Sequence, residues 1–144
     1  MKKTMLLISF LVFIVSSVSF SQPAGLAEFK NALLEFEKAV KYSFQSSGWR
    51  SRRASWRAEV ENANTPRRVA QTLVALETSM TWSSVNSSWR TRRSPWIAEA
   101  RAARTVSAFA RLLLELENVT LWKAVYDSWR AKRPGWVSSL RALQ

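Results

Sequence analysis

The chain has 144 residues, room for one domain. It is strongly basic, with 22 Lys and Arg against 10 Asp and Glu, and it carries eight Trp but only three Gly and four Pro. So few turn residues argue against an all-β fold, and the absence of Cys and His excludes disulfides and most zinc sites, so neither metal nor cofactor is expected.

Lys2 and Lys3 precede an apolar run from Met5 to Phe20, and Ser19-Phe20-Ser21 supplies small residues where a signal peptidase reads. This pattern predicts an export signal over residues 1–21, cleaved after Ser21. The product would be secreted or periplasmic. The run is shorter than the ~20 residues of a spanning helix, although an uncleaved segment would act as a membrane anchor. Removing Lys2 and Lys3 lowers the net charge from +12 to +10.

The rest of the chain repeats. Trp49-Arg50-Ser51-Arg52-Arg53-Ala54-Ser55-Trp56 recurs as Trp89-Arg90-Thr91-Arg92-Arg93-Ser94-Pro95-Trp96 and again as Trp129-Arg130-Ala131-Lys132-Arg133-Pro134-Gly135-Trp136. A 40-residue offset without gaps also aligns Leu33, Leu73 and Leu113, and likewise Glu37, Glu77 and Glu117. The copies span 25–64, 65–104 and 105–144.

Each copy opens as a helix. Thr65-Pro66 reads as an N-cap followed by proline at the first helical position, with Gly25 and Thr105 at the equivalent places. Val69, Leu73, Leu76 and Met80 then form one apolar face, as do Phe29, Leu33, Phe36 and Val40, and Phe109, Leu113 and Leu116. Trp82, Trp89 and Trp96 form a second stripe, which lies roughly opposite Met80 on a continuous helix. The helix therefore either breaks in Ser83–Ser88 or buries two faces. The favoured reading is a long helix to about Arg93 and a short one from about Pro95 to Ala103. Arg90, Arg92 and Arg93 would then sit at a helix C-terminus, where the dipole favours cations.

One unit cannot bury both stripes, but three stacked units can. The expected fold is all-α: three tandem helical hairpins in a short solenoid or compact bundle. The last copy has no visible polar cap, so an exposed end face would allow self-association end to end.

The Trp/Arg element (Trp49, Arg50, Arg52, Arg53, Trp56; Trp89, Arg90, Arg92, Arg93, Trp96; Trp129, Arg130, Lys132, Arg133, Trp136) has two readings. In one, indoles and guanidiniums interlock between copies, because stacking requires equivalent interfaces. In the other, an exposed strip grips anions while the indoles stack on a ligand. Glu37, Glu77 and Glu117, the only acids at a fixed place in every copy, read as structural ion pairs with Arg50, Arg90, Arg130 or an Arg of a neighbouring copy. Without His, Cys or a second fixed acid, no familiar catalytic site can be assembled. Arg67, Arg68, Arg101 and Arg104 add charge near the junctions, as a solvated face or a phosphate-tracking patch.

Trp96-Ile-Ala-Glu-Ala-Arg-Ala-Ala-Arg-Thr-Val, then Leu113-Leu114-Glu115-Leu116-Glu117 and Trp122, resembles the WSD or WHIM helical motif of DDT-domain chromatin-remodelling subunits. Trp56 through Trp82 is similar. The resemblance covers about 30 residues per copy and implies a helical fold in contact with DNA or nucleosome-proximal partners. The export signal and the threefold repeat depart from that family, so only the helical fold carries over.

The sequence therefore points to an exported, non-enzymatic helical repeat protein that binds an anionic polymer or surface: acidic glycan, lipopolysaccharide, anionic lipid or nucleic acid. That reading expects Arg52, Arg92 and Lys132 exposed in line on one side. The alternative is a structural or protein–protein interaction scaffold with the Trp/Arg ladder buried between repeats. Membrane activity is a third reading, since basic segments with Trp can lie in a lipid interface.

Overall fold

The computed structural model describes residues 23–144, so the export signal expected over 1–21 lies outside the described residues. Among the described residues there are six α-helices: α1 (Leu26–Ala39), α2 (Trp49–Asn62), α3 (Pro66–Ser79), α4 (Trp89–Ala102), α5 (Val106–Val119) and α6 (Ser128–Arg141). None of them is long and apolar enough to cross a membrane. Each copy is one helix pair, joined by a short 3-10 turn at Tyr42–Phe44, Trp82–Ser84 or Trp122–Ala124.

Local chemistry sets these starts. The Thr65 and Thr105 hydroxyls accept the backbone N–H of Arg68 and Ala108, at 3.3 and 3.2 Å, and Pro66 needs no N–H partner in the first turn. Gly25 takes the equivalent place in copy one at φ 86°, in the left-handed region, and a Cβ there would meet Leu143 Cδ2 at 2.6 Å.

The expected long helix to Arg93 does not form. The chain leaves the helix at Met80, turns through Trp82–Ser84 and restarts at Trp89. A break in the Ser-rich stretch lets Leu76 and Trp89 both face inward, which a continuous helix forbids. Pro95 ends nothing and lies inside α4, as Pro134 lies inside α6. The carbonyls that these prolines leave without a helical partner belong to Thr91 and Arg130, both at exposed positions where water can serve them. Arg90, Arg92 and Arg93 consequently begin α4 instead of ending a helix.

α1, α3 and α5 are the inner helices. They bury Phe29, Leu33 and Phe36, Val69, Leu73 and Leu76, and Phe109, Leu113 and Leu116. Phe29 and Phe109 touch, with ring centroids 5.9 Å apart. α2, α4 and α6 each bury only a narrow stripe: Trp49, Trp56 and Val60 in α2, with its equivalents in the others. Each outer helix packs on the inner helix of its own copy and on that of the next.

The next copy after the third is the first. Trp56 Nε1 donates to the Thr72 carbonyl at 2.9 Å, Trp96 Nε1 to that of Leu112 at 3.1 Å, and Trp136 Nε1 to that of Ala32 at 2.9 Å. The turns repeat the pattern in the backbone. Single antiparallel bridges pair Gln45 with Met80, Val85 with Thr120, and Val125 with Val40. The three units thus close into a pseudo-threefold bundle. Copies one and three cover each other, so the described residues leave no end face of the kind that an open array would expose.

Closure makes the three indole contacts equivalent. Trp136→Ala should therefore cost as much as Trp56→Ala, roughly 3–5 kcal/mol each in urea denaturation. A Trp136 at a free end would cost far less than Trp56, and unequal losses of that kind would break the ring model.

Candidate anion-binding surface

Helical periodicity splits the Trp/Arg element in two. Trp49, Arg53 and Trp56 are four and three residues apart and share the inward face of α2. All six tryptophans of the element (Trp49, Trp56, Trp89, Trp96, Trp129 and Trp136) are buried and cannot stack on a ligand. Within each copy the two indoles meet tilted or edge to face, at 5.3, 5.5 and 5.2 Å between centroids.

The inward arginine meets the fixed acid. Arg53 Nε donates to Glu37 at 2.6 Å, Arg93 Nε to Glu77 at 2.6 Å, and Arg133 Nε to Glu117 at 2.5 Å. The second indole donor adds to each: Trp49, Trp89 and Trp129 Nε1 lie 3.3, 3.1 and 3.3 Å from the same carboxylates. The partner is therefore Arg53, Arg93 or Arg133 of the same copy, and neither Arg50, Arg90 or Arg130 nor an Arg of a neighbour. It is the residue four after the first Trp that returns to the inward face. In copy one Gln45 Nε2 also donates to Glu37, at 3.2 Å. Val85 and Val125 replace Gln45 in the other copies. Accordingly, one buried oxygen each of Glu77 and Glu117 has no hydrogen-bond donor among the described residues. Those carboxylates line cavities of about 180 and 270 Å³ beside Trp82 and Trp122.

Arg50, Arg90 and Arg130 point outward. Each guanidinium lies over the exposed aromatic of its own turn: Arg50 over Tyr42 at 4.5 Å, Arg90 over Trp82 at 5.2 Å, and Arg130 over Trp122 at 4.9 Å. Tyr42, Trp82 and Trp122 are 41, 49 and 48% exposed. They had aligned with the Trp stripe in the sequence, but the 3-10 turn carries them out of it. The three turns are tied to one another by the bridges, so all three Arg–aromatic pairs decorate one end of the bundle.

Arg52, Arg92 and Lys132 do not form a line on one side. They occupy three different junctions around the ring, and each has an acidic partner. Arg92 binds Glu115 of the next copy and Glu99 at 2.8 Å, Lys132 approaches Glu35 of copy one at 3.6 Å, and Arg52 approaches Glu59 at 3.4 Å. The hydrogen bonds that Arg92 donates to Glu115 and then to Glu99 raise its pKa. The bond from Arg92 holds the Glu99 carboxyl below the ordinary carboxylate range.

Two outcomes follow. Arg93→Ala strands Glu77 beside Trp89 and should cost about 1–3 kcal/mol, with much of the loss recovered in the Arg93→Ala/Glu77→Leu double variant; equilibrium denaturation measures both. The stabilisation from the Glu99–Arg92 pair is complete above the unfolded carboxylate pKa and is lost as pH falls through the lower folded value. In an NMR titration, Glu99 should therefore protonate at lower pH than an ordinary glutamate, and Arg92→Ala should return it to the ordinary range.

A family model described as a domain of unknown function, DUF8799, matches residues 23–81 and again residues 69–120. No curated protein and no solved structure matches the chain. The resemblance to the WSD or WHIM motif is corrected by this match: its Leu, Glu and Trp positions belong to the ring's own core, ion pairs and turns, and they carry no chromatin-remodelling relationship. With more than half of its length matched in two overlapping passes, the chain belongs to the DUF8799 family.

Proposed function

We propose that this is an exported, non-enzymatic binding module that holds an anionic polymer or surface against one end of its bundle. The observation that carries the reading is the trio of exposed Arg–aromatic pairs, Arg50 with Tyr42, Arg90 with Trp82 and Arg130 with Trp122. A guanidinium held over a ring presents donors to sulfate, carboxylate or phosphate, while the rest of the ring offers a flat apolar face to a sugar or base. Three such pairs around one axis would bind a polymer multivalently, each weak contact raising the effective concentration of the next. The excess of 22 basic over 10 acidic residues favours the same class of ligand. Export rests on the N-terminal sequence pattern. The non-enzymatic reading is supported by the fixed acids, which are engaged by arginine and indole donors.

A scaffold function is the second reading, favoured by the six buried indoles. Retention on heparin and DNA resins separates the two. The Arg50→Ala/Arg90→Ala/Arg130→Ala variant and the Tyr42→Ala/Trp82→Ala/Trp122→Ala variant should both elute at clearly lower salt than the wild type and keep their helical circular dichroism. Each aromatic removed should weaken binding by roughly 1–3 kcal/mol. Elution of both variants with the wild type would leave the scaffold reading standing.

A further inference from the structure

The pseudo-threefold symmetry fails at one junction. Glu35 and Glu115 occupy equivalent positions on α1 and α5, where they face Lys132 and Arg92. The equivalent residue on α3 is Ala75. Two neighbouring positions shrink with it: Val74 stands where Leu34 and Leu114 do, and Gly48 where Ser88 and Ser128 do, with open space at its missing Cβ. The result is a cavity of about 790 Å³ along α3, walled by the start of α2 and the end of α4. That volume lies within the roughly 300–1,000 Å³ of small-molecule sites.

The lining is polarised in charge and polarity. Ala70, Val74 and Ala75 make an apolar patch on the floor, with Gln71 and Thr78 on the same face of α3 and Ser46 and Ser79 beside them. Arg67, Arg101 and Arg104 gather where α3 begins and α4 ends, and Arg52 stands further along. No acidic residue lines the cavity. Among the described residues, Arg67, Arg101 and Arg104 take part in no ion pair. Arg104 is held in place by its bonds to the Arg101 and Ala103 carbonyls, both at 2.9 Å, and keeps further donors. From Arg67 to Thr78 the groove runs about 17 Å at ~1.5 Å per residue. Three unpaired guanidiniums beside an apolar patch select a charge at one end of the ligand and a hydrocarbon segment behind it.

We propose that this groove binds a single-chain anionic amphiphile, with a phosphate head held by Arg67, Arg101 and Arg104 and its chain lying over Ala70, Val74 and Ala75. None of the Arg–aromatic pairs lines this groove, and its cluster of Arg67, Arg101 and Arg104 lies at the opposite end of the bundle from them.

Calorimetry with short-chain lysophosphatidic acid below its micellar concentration should show one site per protein. Inorganic phosphate and zwitterionic lysophosphatidylcholine should each bind about tenfold or more weakly by comparison. Ala75→Glu installs the acid that the other two junctions already accommodate. It should weaken lysophosphatidic acid binding by about tenfold or more while leaving thermal stability and heparin retention unchanged. Arg101→Ala, an exposed change, should give a similar loss. Equal affinity for inorganic phosphate would mean an anion site only and would overturn the proposal. Equal affinity for lysophosphatidylcholine, or full binding by both variants, would overturn it as well. Heparin retention reports on the Arg–aromatic pairs, none of which lines the groove, so the two readings fail independently.

Discussion

An indole on each outer helix reaches into the next copy and donates to a carbonyl of its inner helix, and the ring exists because this contact is made three times. A buried tryptophan removes roughly 150–250 Å² from water, worth several kcal/mol at ~25 cal/mol per Å². The Trp136–Ala32 bond joins residues 104 apart in sequence. Closing so long a loop costs only slightly more entropy than closing a short one, since the cost grows with the logarithm of length. The third junction therefore adds nearly as much as the first two. It also removes the need for capping repeats, which open arrays of helical units require.

The same geometry distributes the charges. Outer helices bury a narrow stripe and leave most of their surface to water. Along that stripe, Trp49, Arg53 and Trp56 turn inward, and Glu37 comes from the inner helix to meet them. A carboxylate this buried needs several donors, and it receives a guanidinium and an indole in every copy. The other basic residues between the tryptophans turn outward. Arg50, Arg90 and Arg130 are caught by aromatics that the 3-10 turns present, whereas Arg92 and Lys132 tie neighbouring copies together.

Symmetry in the indole contacts and inner aliphatic layers leaves other positions free to vary. Gln45 against Val85 and Val125 changes how one carboxylate is satisfied without altering the backbone. Ala75 against Glu35 and Glu115 opens a groove at one junction and leaves the others filled. A frame with three equivalent junctions tolerates such differences because its main contacts, the indole bonds and the inner aliphatic layers, are supplied by other residues.

The 40-residue period, the helical class, the inward faces of α1, α3 and α5, and the threonine caps were all legible in the sequence, because they depend on neighbours three or four residues away. The importance of Glu37, Glu77 and Glu117 was legible too, although not their partners. A helix break in Ser83–Ser88 was weighed but not chosen, and the helix ends a little earlier, at Met80; proline is the stronger stop by local rules, until one asks where each indole must point. Local pattern could not tell an open array from a ring: both use the same repeat, and only the angle between successive units decides whether the third meets the first. That angle comes from side-chain packing across the junctions. Which tryptophans are buried, which arginines stay free and where Ala75 opens a groove all follow from it, so they belong to the tertiary structure alone.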